Sequence, residues 1–347
     1  MEVSMSSPKY FRTIEEQIEL LKTRNLKFKD EHNAYYVLRN ITYYSLINGY
    51  KDFFIKEKTN EDEEDDYQAN FFEDLHDVYD FDKELKNILF KYILNIEGTF
   101  NNALSYTISK NYGYLESEYL NVNKYNRGNK LRNGLYQNEH TIKVIEEKNE
   151  STDQPMKHYR EKHGDVPPWV VCGSLSLSTK KYLYGLLRPV KDVSLKLEVV
   201  KWFLFYKEKG NPEIPIKTFN YAIDMVHCYR NEIAHNKRVI HFEPNYDQVK
   251  PLDKHSFCSY VNGRVYNKKM FEKKIGHRDL LGLFMSLTIL FTHRNTVRSR
   301  FINEIRTIFT KLAEKNYKVY QLILKNNNIP ENFLDILDDL VSQYNKK

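Results

Sequence analysis

Apolar residues return every three or four positions along most of this chain, the period of a helix with one buried face. Ile14, Ile18 and Leu21 mark the first such face. Ahead of it, Thr13-Ile14-Glu15-Glu16 reads as a capping box, the Thr13 hydroxyl and Glu16 carboxylate serving early N–H groups. A second helix is expected near Glu31–Ile47, with Ala34, Tyr35, Leu38, Ile41 and Thr42 on one side and an αL ending at Asn48-Gly49. The strongest pattern is Phe81–Tyr106, where Leu85, Ile88, Leu89, Tyr92, Ile96, Phe100 and Ala103 keep the period. Residues Asn111–Gln154 have weak periodicity and read as loops with short helical pieces. Val166-Pro167-Pro168-Trp169 forces an extended entry into another helix. Further helices are expected at Ser178–Leu187, Ser194–Lys209 and Ile216–Lys237, with Pro212 and Pro215 before the last. Leu280–Phe291 is apolar all round and reads as a buried helix. Asn295–Lys315 is amphipathic, with Phe301, Ile305, Ile308 and Leu312 on one face. A single β signal stands out, Ser259–Tyr266, with Asn262-Gly263 between β-formers as in a type I′ hairpin. The expectation is an all-α fold with that one small hairpin.

Charge adds a local feature. The 347 residues carry a net +6, and six of the acids form one run, Glu61–Asp66, read as a solvated loop. The organisation expected is an N-terminal helical extension over residues 1–70, including that loop, and a helical domain over 71–347. An apolar content of 41% excludes global disorder. Cys172, Cys228 and Cys258 are scattered without a CxxC pair, which excludes a disulfide scaffold and a cysteine-based zinc site and suits a reducing cytosol. No signal peptide is recognisable, and Leu280–Phe291 is too short to span a bilayer, so a cytoplasmic protein without a membrane partner is expected. Neither GxGxxG nor GxxxxGK[ST] occurs, and no cofactor is expected. His158 and His163 have no third ligand nearby, so no metal site is expected there.

Histidine offers the best candidate chemistry. The chain has one R-x4–6-H match, Arg230-Asn231-Glu232-Ile233-Ala234-His235, the spacing of the metal-independent HEPN ribonucleases. So loose a spacing is expected by chance alone, and its weight comes from context. The match lies in a helix with an apolar stripe of Phe219, Ile223, Val226 and Ile233. Asn231 and His235 are i, i+4 neighbours, which suits an amide orienting a ring. Arg230 and His235 lie about 140° apart around an ideal helix, so either the helix distorts after Ala234 or a second helix or subunit completes the site. Metal-free RNA cleavage needs a base for the 2′-hydroxyl proton and a cation for the developing phosphorane charge, which suit histidine and arginine. The bland alternative is a structural ion-pair arginine and a surface histidine.

The chain resembles the abortive-infection Abi-like family (AbiD/AbiF type), bacterial phage-defence proteins with a HEPN core. The resemblance runs through Thr13–Lys22, then Tyr35, Leu38–Leu46 and Gly49-Tyr50. It continues through Phe81–Leu85, Ile96-Glu97, His158–Gly164 and Pro168-Trp169, and closes on Arg230–Arg238. It implies a HEPN-type helical bundle and an endoribonuclease that dimerises, so that two R-x4–6-H helices face each other in a composite site. AbiF-type members also resemble the ancestors of the Cas13 effectors and are associated with a small noncoding RNA that restrains the nuclease. Carried over by position, His235 is the acid/base group, Arg230 the phosphate binder and Asn231 the orienting residue. Glu97 matches an acidic position in the family's preceding core helix, as a partner for Arg230 or, equally well, a plain surface carboxylate, while Asn101 and Asn102 stand where the family often has an arginine. Arg238 extends the positive patch. Arg294, Arg298, Arg306 and Lys315 on the basic helix are candidate RNA contacts, with a solvated amphipathic face as the plain alternative. The rival function is a non-catalytic RNA-binding module.

Overall fold

The structure is a computed structural model that describes residues 10–57, 60, 63–204, 215–252, 265–291 and 294–345. It is all-α: 66% is helical, and among the described residues only isolated β-bridges form. The helices are α1 (Ile14–Thr23), α2 (Glu31–Asn40), α3 (Phe72–Tyr112), α4 (Glu116–Tyr119), α5 (Gln137–Asn149), α6 (Met156–His163), α7 (Pro168–Ser174) and α8 (Leu177–Leu186). They continue with α9 (Leu195–Phe203), α10 (Ile216–Ala234), α11 (Lys268–Glu272), α12 (Leu280–Leu290), α13 (Asn295–Lys315), α14 (Tyr317–Asn326) and α15 (Phe333–Asn345). No helix among the described residues is long and apolar enough to cross a membrane. The chain divides into two compact units, Met1–Lys86 with Ile305–Ile329 and Asn87–Glu304 with Pro330–Lys347. The expected extension over residues 1–70 falls within the first unit.

In the first unit, α1 begins on the expected capping box: Thr13 N donates to Glu16 Oε2 at 2.8 Å and Glu16 N to Thr13 Oγ1 at 3.3 Å. Helix α2 stops at Asn40 rather than running on to Ile47, and Ile41 is extended. Polar side chains compete with the helical ladder here. Asn40 Nδ2 bonds the Tyr36 carbonyl, and Thr42 Oγ1 accepts from Ser45 N to open a separate turn. Gly49 has φ −68°, so the expected left-handed ending is absent. The described part of the acidic run is not uniformly solvated either. Asp65 is buried, with Lys51 Nζ 2.6 Å away and Arg24 Nη1 at 3.9 Å. Asp66 accepts from Gln68 N and Asn25 Nδ2, which hold its carboxyl below the usual range. On the unit's other side, Asn316 Nδ2 bridges Asp74 and Asp77 at 2.8 and 2.9 Å, tying the start of α14 to α3.

The second unit is built on rings. Phe100 (α3), Tyr184 (α8), Phe203 (α9) and Phe219 (α10) are all buried, with neighbouring centroids 5.2–6.2 Å apart. Edge-on and tilted packing of this kind locks four helices together. Every residue of α12 is buried, as its largely apolar sequence requires, with the Ser286 and Thr288 hydroxyls bonded to carbonyls one turn back, and the helix packs against α10. Asp279 caps it, accepting from Gly282 N at 2.9 Å and from Gly276 N at 2.7 Å. Tyr221 of α10 donates to the carbonyl of His277 at 2.6 Å. The two helices approach closely at Gly282, where a Cβ would lie 2.8 Å from the Gly276 oxygen and 3.0 Å from the Tyr221 hydroxyl.

Several expected bounds move. Helix α3 is longer at both ends than Phe81–Tyr106. The stretch 111–154, expected mostly as loop, contains the 13-residue α5. Its buried face is partly polar, which erases the hydrophobic period. Asn138 donates to the Val122 carbonyl and Asn149 to the Tyr119 hydroxyl at 2.7 Å, so the burial carries its own hydrogen bonds. The hairpin expected at Ser259–Tyr266 lies outside the described residues except for Val265 and Tyr266, which sit in a turn and a bend. The expected end of α9 at Lys209 also lies outside them. Gly282→Ala is expected to lower stability by about 1–3 kcal/mol through overpacking, with the midpoint of denaturant unfolding as the check.

Candidate active site

Helix α10 carries the Arg230–His235 hexamer, and it ends within it. His235 is the C-cap and Asn236 adopts φ +53°, the left-handed conformation that asparagine tolerates. Asn236 N donates to the Ile233 carbonyl and Lys237 N to the Glu232 carbonyl, both at 2.9 Å, the two bonds of a Schellman motif. The helix therefore stops after Ala234 instead of continuing to Lys237. His235 is exposed at its tip, its N–H bonded to the Asn231 carbonyl at 3.1 Å.

Behind the tip sits a charged cluster drawn from three helices. Glu97 of α3 receives Lys180 Nζ of α8 on Oε1 at 3.1 Å, and Arg230 Nε of α10 lies 3.8 Å from Oε2. The expected Glu97–Arg230 pair is present as an ion pair without a hydrogen bond. Lys180 is only 2% exposed, so its charge depends on Glu97. Arg230 keeps 30% of its side chain in contact with solvent. The carboxylate thus holds the guanidinium by charge while part of the arginine side chain stays open to solvent.

Asn231 does not serve His235. Its Nδ2 lies 3.2 Å from Nε2 of His227, one turn back on α10. The other ring nitrogen, Nδ1, is 3.5 Å from Lys181 Nζ, and Lys181 in turn pairs with Asp224 at 2.8 Å. An ammonium only donates, so Nδ1 accepts, the ring proton sits on Nε2, and the Asn231 amide serves this ring best with its oxygen turned toward it. Burial, with Lys181 and Arg230 close by, pushes the His227 ring down to about 4. Burial also raises the Asp224 carboxyl above its usual value, against the pull of Lys181. His227 is a neutral strut, and the polar network runs from Asp224 to Asn231 along one face of α10.

A profile of the Abi-like proteins matches residues 36–241, more than half of the chain, from α2 to just beyond the Arg230–His235 helix end. The chain belongs to the Abi-like protein family. No curated protein and no solved structure matches it.

The Abi-like match leaves the C-terminal basic helix outside its bounds. Arg298 of that helix is 1% exposed and its Nη2 bonds Asn295 Oδ1 at 2.9 Å, so it is a core residue and not a phosphate contact. Arg294 spends both terminal nitrogens on α3, at Asn95 Oδ1 and Thr99 Oγ1, each at 2.6 Å. Arg294, just ahead of α13, and Arg298 in its first turn therefore both turn toward protein partners. Arg306 is half-buried, and Lys315 pairs with Asp77 at 2.6 Å in the first unit. Arg238 is half-buried, with Nη2 3.5 Å from His241 Nδ1. Four members of the cluster and of the network beside it do not stand out in the sequence analysis: Lys180, Lys181, Asp224 and His227. His227 was reachable, being i−3 from Arg230 and i−4 from Asn231. Lys180 stands between Leu177 and Tyr184 on the buried face of α8, and a lysine in an apolar stripe signals a buried anion partner.

Two outcomes test this arrangement. Glu97→Ala strands the buried Lys180 charge and is expected to cost about 3–5 kcal/mol in denaturant unfolding, part of which Lys180→Met restores in the double variant. The lowered His227 value sets a pH dependence. The unfolded ring takes up a proton near its ordinary 6.5 and the folded ring only near 4, so stability falls as pH drops through that window. His227→Gln is expected to flatten that fall, as read from unfolding midpoints across pH 4–7.

Proposed function

We propose that this protein is a metal-independent HEPN-class endoribonuclease of bacterial antiphage abortive infection, a toxin restrained by a small noncoding RNA. The reading is supported most by one observation. A helix in an Abi-like chain ends at an exposed His235, and near that end it carries Arg230, held against Glu97 with part of its side chain in solvent. Membership of the Abi-like family supports the biological setting.

The chemistry follows from the residue types. His235 takes the proton of a ribose 2′-hydroxyl, and the freed oxygen attacks the adjacent phosphorus. The bond to the 5′-oxygen breaks, leaving a 2′,3′-cyclic phosphate and a 5′-hydroxyl. Arg230 meets the phosphorane oxygens as negative charge builds on them. Glu97 is a positioning residue, which keeps the guanidinium in place without occupying the whole fork. In a homodimer with a composite site, His235 of the second copy returns the proton to the departing 5′-oxygen. Each helix end then supplies one arginine and one histidine, and no single helix has to bring both side chains to one point.

The test is RNA cleavage in EDTA by protein stripped of co-purified nucleic acid in high salt. Wild type is expected to cleave, with His235→Ala and Arg230→Ala reduced by about 10²–10⁴-fold while remaining folded. Equal activity in wild type and His235→Ala sinks the proposal and leaves RNA binding without catalysis as the better account.

A further inference from the structure

The second unit contains a cavity of about 350 Å³ away from the hexamer, with Asn123, Asn126, Arg127, Glu139 and Arg188 on its wall. That volume lies at the lower end of ordinary ligand pockets. Tertiary structure assembles it from distant parts of the chain. Tyr125 and Leu187 form an antiparallel bridge, Asn126 N donates to the Leu186 carbonyl at 2.8 Å, and Asn126 Nδ2 donates to the Leu187 carbonyl at 3.1 Å. These bonds bring Arg127 and Arg188, 61 positions apart, to the same hollow.

Both arginines are set for an anion. The Arg127 guanidinium lies 4.5 Å from the centre of the Tyr136 ring, a cation–π contact that favours this placement. Arg188 is anchored by Nη1 on the Asn123 carbonyl at 2.9 Å, and its backbone exchanges hydrogen bonds with the Tyr112 hydroxyl. Neither guanidinium has a carboxylate within ion-pair distance among the described residues, although both are exposed. Glu139 is the acid on the wall, and its Oε2 is occupied in capping α5, accepting from Tyr136 N at 2.7 Å. From Tyr119 to Asn138 the chain carries four cations and no acid, with Lys130 and Arg132 exposed beside the cavity-lining segment. Two unpaired surface arginines alone would be ordinary. Two that are each held by a contact at one concave site, one of them in an acid-free stretch, match what an extended phosphodiester requires.

We infer that this cavity binds the phosphate backbone of single-stranded RNA, as an anchoring site separate from Arg230 and His235. The inference rests on the ribonuclease reading above, for which it supplies a grip on the substrate or the restraining RNA. Helix α8 links the two places: Lys180 and Lys181 near its start belong to the Glu97 cluster, and Arg188 follows its end. Lys181 lies five residues before the end of the helix at Leu186, a rise of about 7.5 Å, and Arg188 comes two residues after that end. The two arginines present forks to phosphates, and the Asn123 and Asn126 amides lie where a ribose or base edge would pass.

The experiment measures binding of a fluorescein-labelled 2′-O-methyl RNA oligonucleotide, which lacks the 2′-hydroxyl that cleavage needs, to the full chain. The expected result for Arg127→Gln/Arg188→Gln is an affinity loss of about tenfold or more. The slope of log affinity against log salt should also become shallower by about 1.4, at 0.7 per lost phosphate contact. A control, Lys268→Gln/Lys269→Gln, removes two lysines from α11 in the same unit and should lose much less. Unchanged affinity in the arginine variant, or an equal loss in the lysine control, overturns the inference. Competition by adenosine monophosphate as effective as by unlabelled oligonucleotide would assign the cavity to a free nucleotide and overturn the RNA assignment. If wild type cleaves and binds RNA while the arginine variant is unaffected, this inference alone fails. If wild type neither cleaves nor binds, the ribonuclease reading fails and takes this one with it.

Discussion

Glu97 sits in the middle of a long helix and holds two cations from two other helices, Lys180 of α8 and Arg230 of α10. Lys180 is almost fully buried, and a buried ammonium without its counterion costs several kcal/mol. The three helices must therefore keep their mutual placement for the charges to be tolerated at all. The ring cluster of Phe100, Tyr184, Phe203 and Phe219 packs the same helices and takes up the space between them. Apolar packing supplies the general cohesion, and the carboxylate sets the register. Arg230 inherits a fixed position from this arrangement, since its nearest anion belongs to the core.

The end of α10 has the opposite character. One side of the helix is locked into the core by Tyr221, by the close approach at Gly282 and by the buried length of α12. Its last residues then leave the core together: Ala234, His235, Asn236 and Lys237 are all exposed. Asn236 makes the stop abrupt by taking the left-handed conformation, so His235 stands at a rigid tip rather than on a frayed turn. A histidine fixed in backbone yet open to solvent suits proton exchange with a large substrate. The neighbouring His227 shows the contrast, being buried, neutral and committed to Lys181 and Asn231. Two histidines eight residues apart on one helix thus have different electrostatic surroundings.

Polar residues in this protein often do structural work that their chemistry disguises. Asp65, in the middle of an acidic run, is buried against Lys51, and Arg298, on a basic helix, is nearly inaccessible. Helix α5 buries Asn138, Thr141 and Asn149, each hydrogen-bonded within the unit. A charge or an amide is tolerated inside when its partners are supplied, from the same turn for Thr141 and Arg298 and from another segment for Asn138 and Asn149.

The helical class, the capping box at Thr13, the buried α12 and the span of α13 were legible in sequence, because periodicity and capping are local properties read within one or two turns. The Arg230–His235 hexamer and its possible pairing with Glu97 were legible too, through spacing and family resemblance. What sequence could not decide was where polar side chains spend their hydrogen bonds. Asn231 is equally spaced from His227 and His235, four residues either way, and only the packing of α8 beside α10, which brings Lys181 to His227, selects the first. The role of Lys180 and the Arg127–Arg188 cavity depend in the same way on contacts between segments remote in sequence. Local pattern decides which residues become helical. Which face of each helix is buried, and which charge finds a partner there, is settled when the helices pack.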